Sequence, residues 1–208
     1  MRRVSIDAVN GSPQELLRLR DLLDRGGVAA VPTETYYALA ADPLHAAGVE
    51  RVFQIKGRNS TQPLPVLFAT EDQLSRLGVE ASSEKLDRYL RLWPAPLTVI
   101  LPIRGPIAAS RGLATLGVRV PAASALRILI ASAGPLTGTS VNRSGSPPLD
   151  DPDAVETLFG RQIDLLVDGG RTPGGKPSTI LDATVDPPAV VRAGAYVWPP
   201  ANPPMPPD

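Results

Sequence analysis

The sequence predicts an α/β fold in which helices cover a mixed β-sheet. Three observations predict it. Short apolar runs bounded by glycine or proline recur at 28–31, 97–101 and 165–168, and such runs read as buried strands. Segments of helical spacing, several opened by capping residues, separate those runs. The chain is 43% hydrophobic but only 4% aromatic, so a sizeable core is available and Val, Leu, Ile and Ala must fill it. Loose alternation of the two element types selects a mixed sheet flanked by helices.

Ser12-Pro13-Gln14-Glu15 opens the first expected helix as a capping box with proline at the first helical position. Leu16, Leu19, Leu22 and Leu23 follow at helical spacing, and Gly26-Gly27 ends it. A strand is expected at 28–31. Pro32 stops it, and two threonines then flank a glutamate in Pro32-Thr33-Glu34-Thr35. Hydroxyls and a carboxylate at a strand end are unusual for a plain turn, and strand ends are where open α/β sheets place ligands. Residues 37–40 read as extended. Residues 46–55 read as a helix with Val49, Val52 and Phe53 on one face, running into Lys56-Gly57-Arg58. A strand at 65–69 follows, then a second capping box from Thr70 and Gln73. Ser82 or Ser83 opens a helix that Trp93-Pro94 closes. Further strands are expected at 97–101, 117–120, 136–140, 165–168 and 179–182, and helices at 124–132 and 152–159.

No repeat or linker divides the chain, so residues 1–197 are expected to form one domain. Residues 198–208, "WPPANPPMPPD", hold six prolines. Proline donates no backbone hydrogen bond, so this tail is expected to be extended and disordered.

Composition excludes several chemistries. Cysteine is absent, which removes disulfide frameworks, thiol nucleophiles and zinc–thiolate sites. His45 is the one histidine, which argues against histidine-rich metal centres and a Ser-His-Asp triad; it reads as a surface or helix-start residue. Arg2 and Arg3 are not followed by an apolar run, unlike a signal peptide, and no stretch approaches the roughly 20 apolar residues of a membrane span. The expectation is a soluble, cytoplasmic protein. A net charge of zero speaks against nucleic-acid binding through overall charge. Residues 88–149, however, contain no Asp or Glu and seven arginines, Arg119 among them. This window is either a solvated surface or an anion site for phosphates or a carboxylate.

Three stretches offer chemistry. "GGRTPGGKPST" (169–179) approaches a phosphate loop, but Pro177 stands where Ser or Thr belongs and a strand rather than a helix should follow. It is a flexible glycine turn or a mobile loop that delivers Ser178 and Thr179. "IKGR" (55–58) places two cations at a helix C-terminus, which the helix dipole alone would favour. "TSVNRSG" (139–145) follows a strand and is crowded with hydroxyls and an amide. Thr33, Thr35, Lys56, Arg58, Arg119, Ser140, Asn142, Ser178 and Arg192 fall mostly at strand ends and in loops. Cations and hydroxyls dominate this set, which suits phosphoryl or adenylyl chemistry, where positioning and charge stabilisation do most of the work.

The stretches "PTETYYALAAD", "VFQIKGRNSTQPLPVL", "WPAPLTVIL", "GVRVPA", "TSVNRSG", "DGG…GGKPSTILD" and "VRAG" stand in this order from Gly26 to Gly194. Together they resemble the YrdC-like family of threonylcarbamoyl-adenylate synthases, in its short, single-domain form. The resemblance implies a twisted mixed sheet flanked by helices, with a large positively charged cavity. It implies a nucleotidyltransferase that makes threonylcarbamoyl-AMP and pyrophosphate from L-threonine, bicarbonate and ATP, with Mg²⁺ accompanying ATP and no dedicated protein metal site. The product would serve tRNA t6A modification, with tRNA or a tRNA-modification complex as a partner. By residue, the resemblance assigns catalysis to Lys56, Arg58, Ser140 and Asn142. It assigns threonine binding to Thr35, Arg119 and Ser178, with Arg119 on the carboxylate. Nucleotide contacts would come from Lys56, Arg58, Gln62, Thr115, Ser140, Asn142 and Arg192.

Four positions depart from the family pattern. Ala38 and Ala40 replace glycines of a Tyr-Gly-Leu-Gly motif. Gln62 stands for an asparagine, and Leu67 for a histidine near the threonine. Loss of a polar pocket residue removes about 1–3 kcal/mol of discrimination where it was used. Two alternatives therefore stay open: a paralogue that activates or transfers a different carbamate, and a non-catalytic module for structured RNA.

Overall fold

The computed structural model describes residues 1–57, 62–80 and 83–200. In chain order the elements are β1 (Arg2–Ser5), α1 (Ile6–Asn10), α2 (Pro13–Asp24), β2 (Ala29–Pro32), β3 (Tyr37–Ala40), α3 (Ala46–Lys56), β4 (Val66–Leu67), α4 (Glu71–Arg76), α5 (Ser83–Leu90) and β5 (Leu97–Pro102). After a 3-10 turn (Ala108–Ser110) come β6 (Thr115–Arg119), α6 (Ser124–Ala133), β7 (Leu136–Thr137), β8 (Thr139–Ser140), α7 (Pro152–Phe159), β9 (Leu165–Asp168), β10 (Thr179–Asp182) and β11 (Ala189–Arg192). The strands form two mixed sheets rather than one. A five-stranded sheet runs β1-β9-β2-β3-β8, and a six-stranded sheet runs β11-β10-β5-β6-β4-β7.

Two apolar clusters explain the strand sequences. Ala30 of β2 and Leu39 of β3 pack with Val66, Val99, Leu116, Val118 and Leu181 of the six-stranded sheet. Ala29, Val31, Ala38 and Ala40 point the other way, onto Ile6, Leu19, Leu23, Leu126, Leu129 and Ile130 of α1, α2 and α6. Alternate residues of a strand face opposite sides, so β2 and β3 are covered on both. That is why 28–31 reads as a continuous apolar run and not as an alternation. Ala38 and Ala40, which depart from the family glycines, are buried in the helix-facing cluster. Their methyl groups are core packing there.

Several expectations change on folding. Thr70 caps α4 without a side-chain hydrogen bond. Gln73 is buried, accepts the Ala69 N–H at 2.8 Å and donates to the Ile130 carbonyl at 2.8 Å. Its amide joins two segments, so it is not available for a capping box. At α2, Ser12 accepts the Glu15 N–H at 3.3 Å as expected, but the Glu15 carboxylate pairs with Arg2 and Arg18. The strand expected at 136–140 breaks at Gly138 into β7 and β8, which lie in different sheets. A Cβ at Gly138 would stand 2.6 Å from Leu67 Cγ, so only glycine lets the chain cross there. The helix opened by Ser82 or Ser83 is α5; Ser82 lies outside the described residues. Beyond β11 the chain is tied down by Ala195 N–H to the Pro177 carbonyl (2.8 Å), and Trp198 packs 6.5 Å from Tyr89, centroid to centroid, with Arg88 over its ring. Packing thus extends past 197, and residues 201–208 lie outside the described residues.

Candidate functional site

Two polar clusters lie at the strand and helix ends that the sequence singled out. The first is built on Lys56, in the last turn of α3. Gly57 caps this helix with φ of 62°, a left-handed conformation that suits glycine. The Ser144 N–H returns to the Lys56 carbonyl at 2.9 Å and ties the loop after β8 to the helix end. Lys56 is 5% exposed. A buried ammonium is costly unless its donors are met, and here they are: Nζ donates to the Ser140 carbonyl at 2.7 Å and to Asn142 Oδ1 at 2.7 Å. Ser140 Oγ also donates to Asn142 Oδ1, at 2.8 Å, and Asn142 Nδ2 donates to the Ser146 carbonyl at 2.7 Å. The structure therefore brings Lys56, Ser140 and Asn142 together. Arg58 lies outside the described residues. Gln62 is exposed.

The second cluster centres on Arg119 at the end of β6. Leu97, Val99, Leu101, Leu116 and Val118 face the core. By alternation, Thr98, Thr115, Gly117 and Arg119 share the opposite face of this sheet. Thr115 sits at the far end of β6 from Arg119. Arg119 Nη1 donates to Glu34 Oε1 at 2.8 Å, and the two side chains are only 6% and 14% exposed. Burial pulls the Arg119 guanidinium below its ordinary value; Glu34 opposes this and the charge of Arg192 adds to it. Desolvation lowers Arg192 as well. Arg192, on β11, donates to the Ser178 carbonyl at 2.7 Å and reaches Ser178 Oγ at 3.2 Å. Ser178 Oγ lies 3.2 Å from Thr98 Oγ1. Arg119, Arg192 and Ser178 are therefore neighbours.

The threonine turn completes this end. Thr33 Oγ1 donates to the Tyr36 carbonyl at 2.7 Å and accepts the Thr35 N–H at 3.1 Å, which closes the turn on itself. Thr35 Oγ1 stands 3.2 Å from Thr33 Oγ1. The glycine-rich loop rests on the turn. Gly174 N–H meets the Thr35 carbonyl at 2.6 Å, Tyr36 Oη donates to the Gly175 carbonyl at 2.7 Å, and Tyr37 Oη donates to the Gly170 carbonyl at 2.8 Å. The loop is thus pinned over the site and runs into β10, not into a helix. Tyr37 packs in the core as well, and the hydroxyls of both tyrosines do this holding.

Sequence reasoning missed Glu34 as a site residue. A signal was present: Arg119 lies in a window without carboxylates, so its counter-charge had to come from elsewhere, and the first motif supplies one. Four other arginines of that window are engaged away from Arg119. Arg104 pairs with Glu80 and Arg111 with Glu50. Arg127 donates to the carbonyls of Pro121 and Ala122, and Arg143 to that of Ile55. His45 caps α3, its Nδ1 accepting the Gly48 N–H at 3.3 Å.

The sequence model of the Sua5/YciO/YrdC family, described as "Telomere recombination", matches residues 21–194. The chain belongs to this family. It is 38% identical over 173 residues to a threonylcarbamoyl-AMP synthase of Pyrococcus abyssi, covering 81% of this chain and 51% of that one. It is 37% identical over 180 residues to the enzyme of the same name from Halorhodospira halophila, covering 84% and 89%. The crystal structure of P. abyssi Sua5 complexed with L-threonine superposes with a TM-score of 0.80 at 34% identity, covering 93% of this chain and 56% of that one. The chain spans about half the length of the first curated relatives it matches, 51% and 56%. The fold, an α/β arrangement with two mixed sheets, matches that of P. abyssi Sua5. Among the described residues, no helix is long and apolar enough to cross a membrane.

Proposed function

We propose that this protein is a threonylcarbamoyl-AMP synthase, a nucleotidyltransferase that consumes L-threonine, bicarbonate and ATP. One observation carries this reading: a buried ammonium, Lys56, locked onto Ser140 and Asn142 at the mouth of a helix. Such a preorganised cation suits charge that develops on a phosphoryl group. In the reaction, the threonine amine and bicarbonate give a carbamate and water. A carbamate oxygen then attacks the α-phosphorus of ATP, and the bond to pyrophosphate breaks. Lys56 and Arg58 stabilise the triphosphate charge, while Ser140 and Asn142 fix Lys56 and contact the nucleotide. Gln62, Thr115 and Arg192 are the further nucleotide contacts. Thr35, Arg119 and Ser178 hold the amino acid, with the Arg119 guanidinium on its carboxylate, a planar match that lysine lacks. Mg²⁺ enters with ATP, held by phosphates and water. The product supplies tRNA t6A modification in the cytoplasm, with a tRNA-modification complex as the acceptor system.

The test is purified protein with ATP, Mg²⁺ and bicarbonate, supplied with each amino acid in turn. Pyrophosphate and threonylcarbamoyl-AMP, seen by mass spectrometry with threonine alone, are the expected result. Turnover with a different amino acid would favour the second reading, a paralogue for another carbamate. Leu67 favours that second reading: it is fully buried, aligned with Arg119 across the β4–β6 pair, and apolar. No pyrophosphate with any amino acid would refute both.

A further inference from the structure

We propose that Glu34 binds the ammonium group of the amino-acid substrate, so that Glu34 and Arg119 together select a zwitterion. This rests on the amino-acid reading of the site given above. Glu34 Oε1 receives one hydrogen bond from Arg119. Its other oxygen, Oε2, is buried and has no hydrogen-bond partner among the described residues. An ionised carboxylate accepts at both oxygens, and a bare buried acceptor calls for an explanation. The hydroxyls of its own turn do not supply one. Thr33 Oγ1 spends its proton on the Tyr36 carbonyl, and Thr35 Oγ1 is turned to Thr33. The missing donor is therefore one that the substrate brings.

Charge points to the kind of donor. Guanidinium and carboxylate cancel, so the pair offers one positive and one negative pole side by side. A lone carboxylate approaching Arg119 meets the Glu34 charge as well. An α-amino acid brings its own ammonium to that charge, and each pole finds its opposite. Arg119 has N–H groups to spare, since a guanidinium carries five donors and one is given to Glu34. Oε2 is out of reach of solvent, so the Glu34 side chain turns as substrate enters, about a terminal torsion that is soft. The backbone that carries it does not need to move. The turn is closed by Thr33 and pinned by Gly174.

The experiment is calorimetry of the full chain and of Glu34→Gln with two ligands, L-threonine and 3-hydroxybutanoate, which is threonine without its amino group. ATP binding to each protein reports that the fold is intact. Wild type should bind threonine at least about tenfold more tightly than the analogue. In E34Q the threonine Kd should rise by about tenfold or more, and that of the analogue should change by less than about twofold. Equal weakening of both ligands overturns the proposal, because Glu34 then acts only by holding Arg119. Tighter threonine binding in E34Q overturns it too, because Glu34 is then a competitor for Arg119. If E34Q does not fold, the wild-type comparison decides, and equal affinities for the two ligands overturn the proposal. Wild type that binds neither ligand overturns the amino-acid reading, and this inference with it.

Discussion

Gly194 closes the "VRAG" stretch, and replacing it with alanine tests how the site is held from behind. A Cβ there would clash with the Pro177 carbonyl oxygen and lie 2.6 Å from Ser178 C and from Thr179 N. All three are backbone atoms of the segment that carries Ser178, so no flexible side chain can yield. The strap after β11 must lift. It would lose Gly194 N–H and Tyr196 N–H to Thr179 Oγ1 (3.0 and 3.1 Å), Ala195 N–H to the Pro177 carbonyl (2.8 Å) and Thr179 Oγ1 to the Tyr196 carbonyl (2.6 Å). At about 0.5–1.5 kcal/mol net for each of these hydrogen bonds, detachment costs about 2–6 kcal/mol, before any loss of Trp198 packing on Tyr89. Hydrogen exchange at the amides of residues 194–196 is the direct assay, with urea unfolding beside it. The expected result for Gly194→Ala is rapid exchange in the strap and weakened substrate binding, since Arg192 and Ser178 share this support. Wild-type protection of those amides would refute the steric reasoning.

Lys56→Met keeps length and removes charge; turnover should fall about 100–1,000-fold with near-ultraviolet circular dichroism unchanged, and a loss of less than about tenfold would contradict the role of Lys56. Gly138→Ala presses a Cβ to 2.6 and 2.8 Å from Leu67 Cγ and Cδ2 and should cost about 1–3 kcal/mol by overpacking. Leu67→Ala alone should cost about 2–5 kcal/mol, and the double variant should be milder than the sum by about 1 kcal/mol or more in urea unfolding; additive losses would show that the two side chains are not in contact. Burial pushes the Tyr37 hydroxyl up to about 12, above an ordinary tyrosine at about 10. Its folded-state value is raised, so its contribution to stability is complete below about pH 10 and is lost as pH rises through about 12. Spectrophotometric titration should show a late tyrosinate phase that Tyr37→Phe removes.

Much of the fold was legible because the local signals agreed. The stretch at 28–31, the helix that ends at Lys56 and the strands at 165–168 and 179–182 each carry one pattern, and each forms nearly where that pattern says. The missed elements lack such a pattern. β1 is Arg2-Arg3-Val4-Ser5, mostly charged or polar, and exists because β9 offers it a parallel partner. β11 is exposed along its length and is held by pairing with β10. The split at Gly138 was invisible because an apolar run does not say which sheet each half joins. In the site, Lys56, Ser140 and Asn142 could be grouped because they sit in short motifs. Glu34 was not grouped with them, because its partner is 85 residues away and the only hint of the pair was the carboxylate-free window around Arg119.

The crossing at Gly138 fixes a dimension of the molecule. Thr137 belongs to one sheet and Thr139 to the other. The Thr137 hydroxyl accepts the Ala41 N–H at 2.9 Å and donates to the Leu39 carbonyl at 3.1 Å. With one residue between them and Thr137 fastened to β3, the sheets have no slack along which to slide. Arg119 stands on one sheet and the backbone that seats Lys56 on the other, so the interval between them is set as on a fixed-jaw gauge. On the proposed reading, a bulkier or smaller amino acid is accommodated by side chains at the Arg119 jaw, such as Leu67 beside it in register, while the opposite jaw keeps its setting. Under that proposal, substrate choice drifts at one jaw without retuning the Lys56–Ser140–Asn142 end.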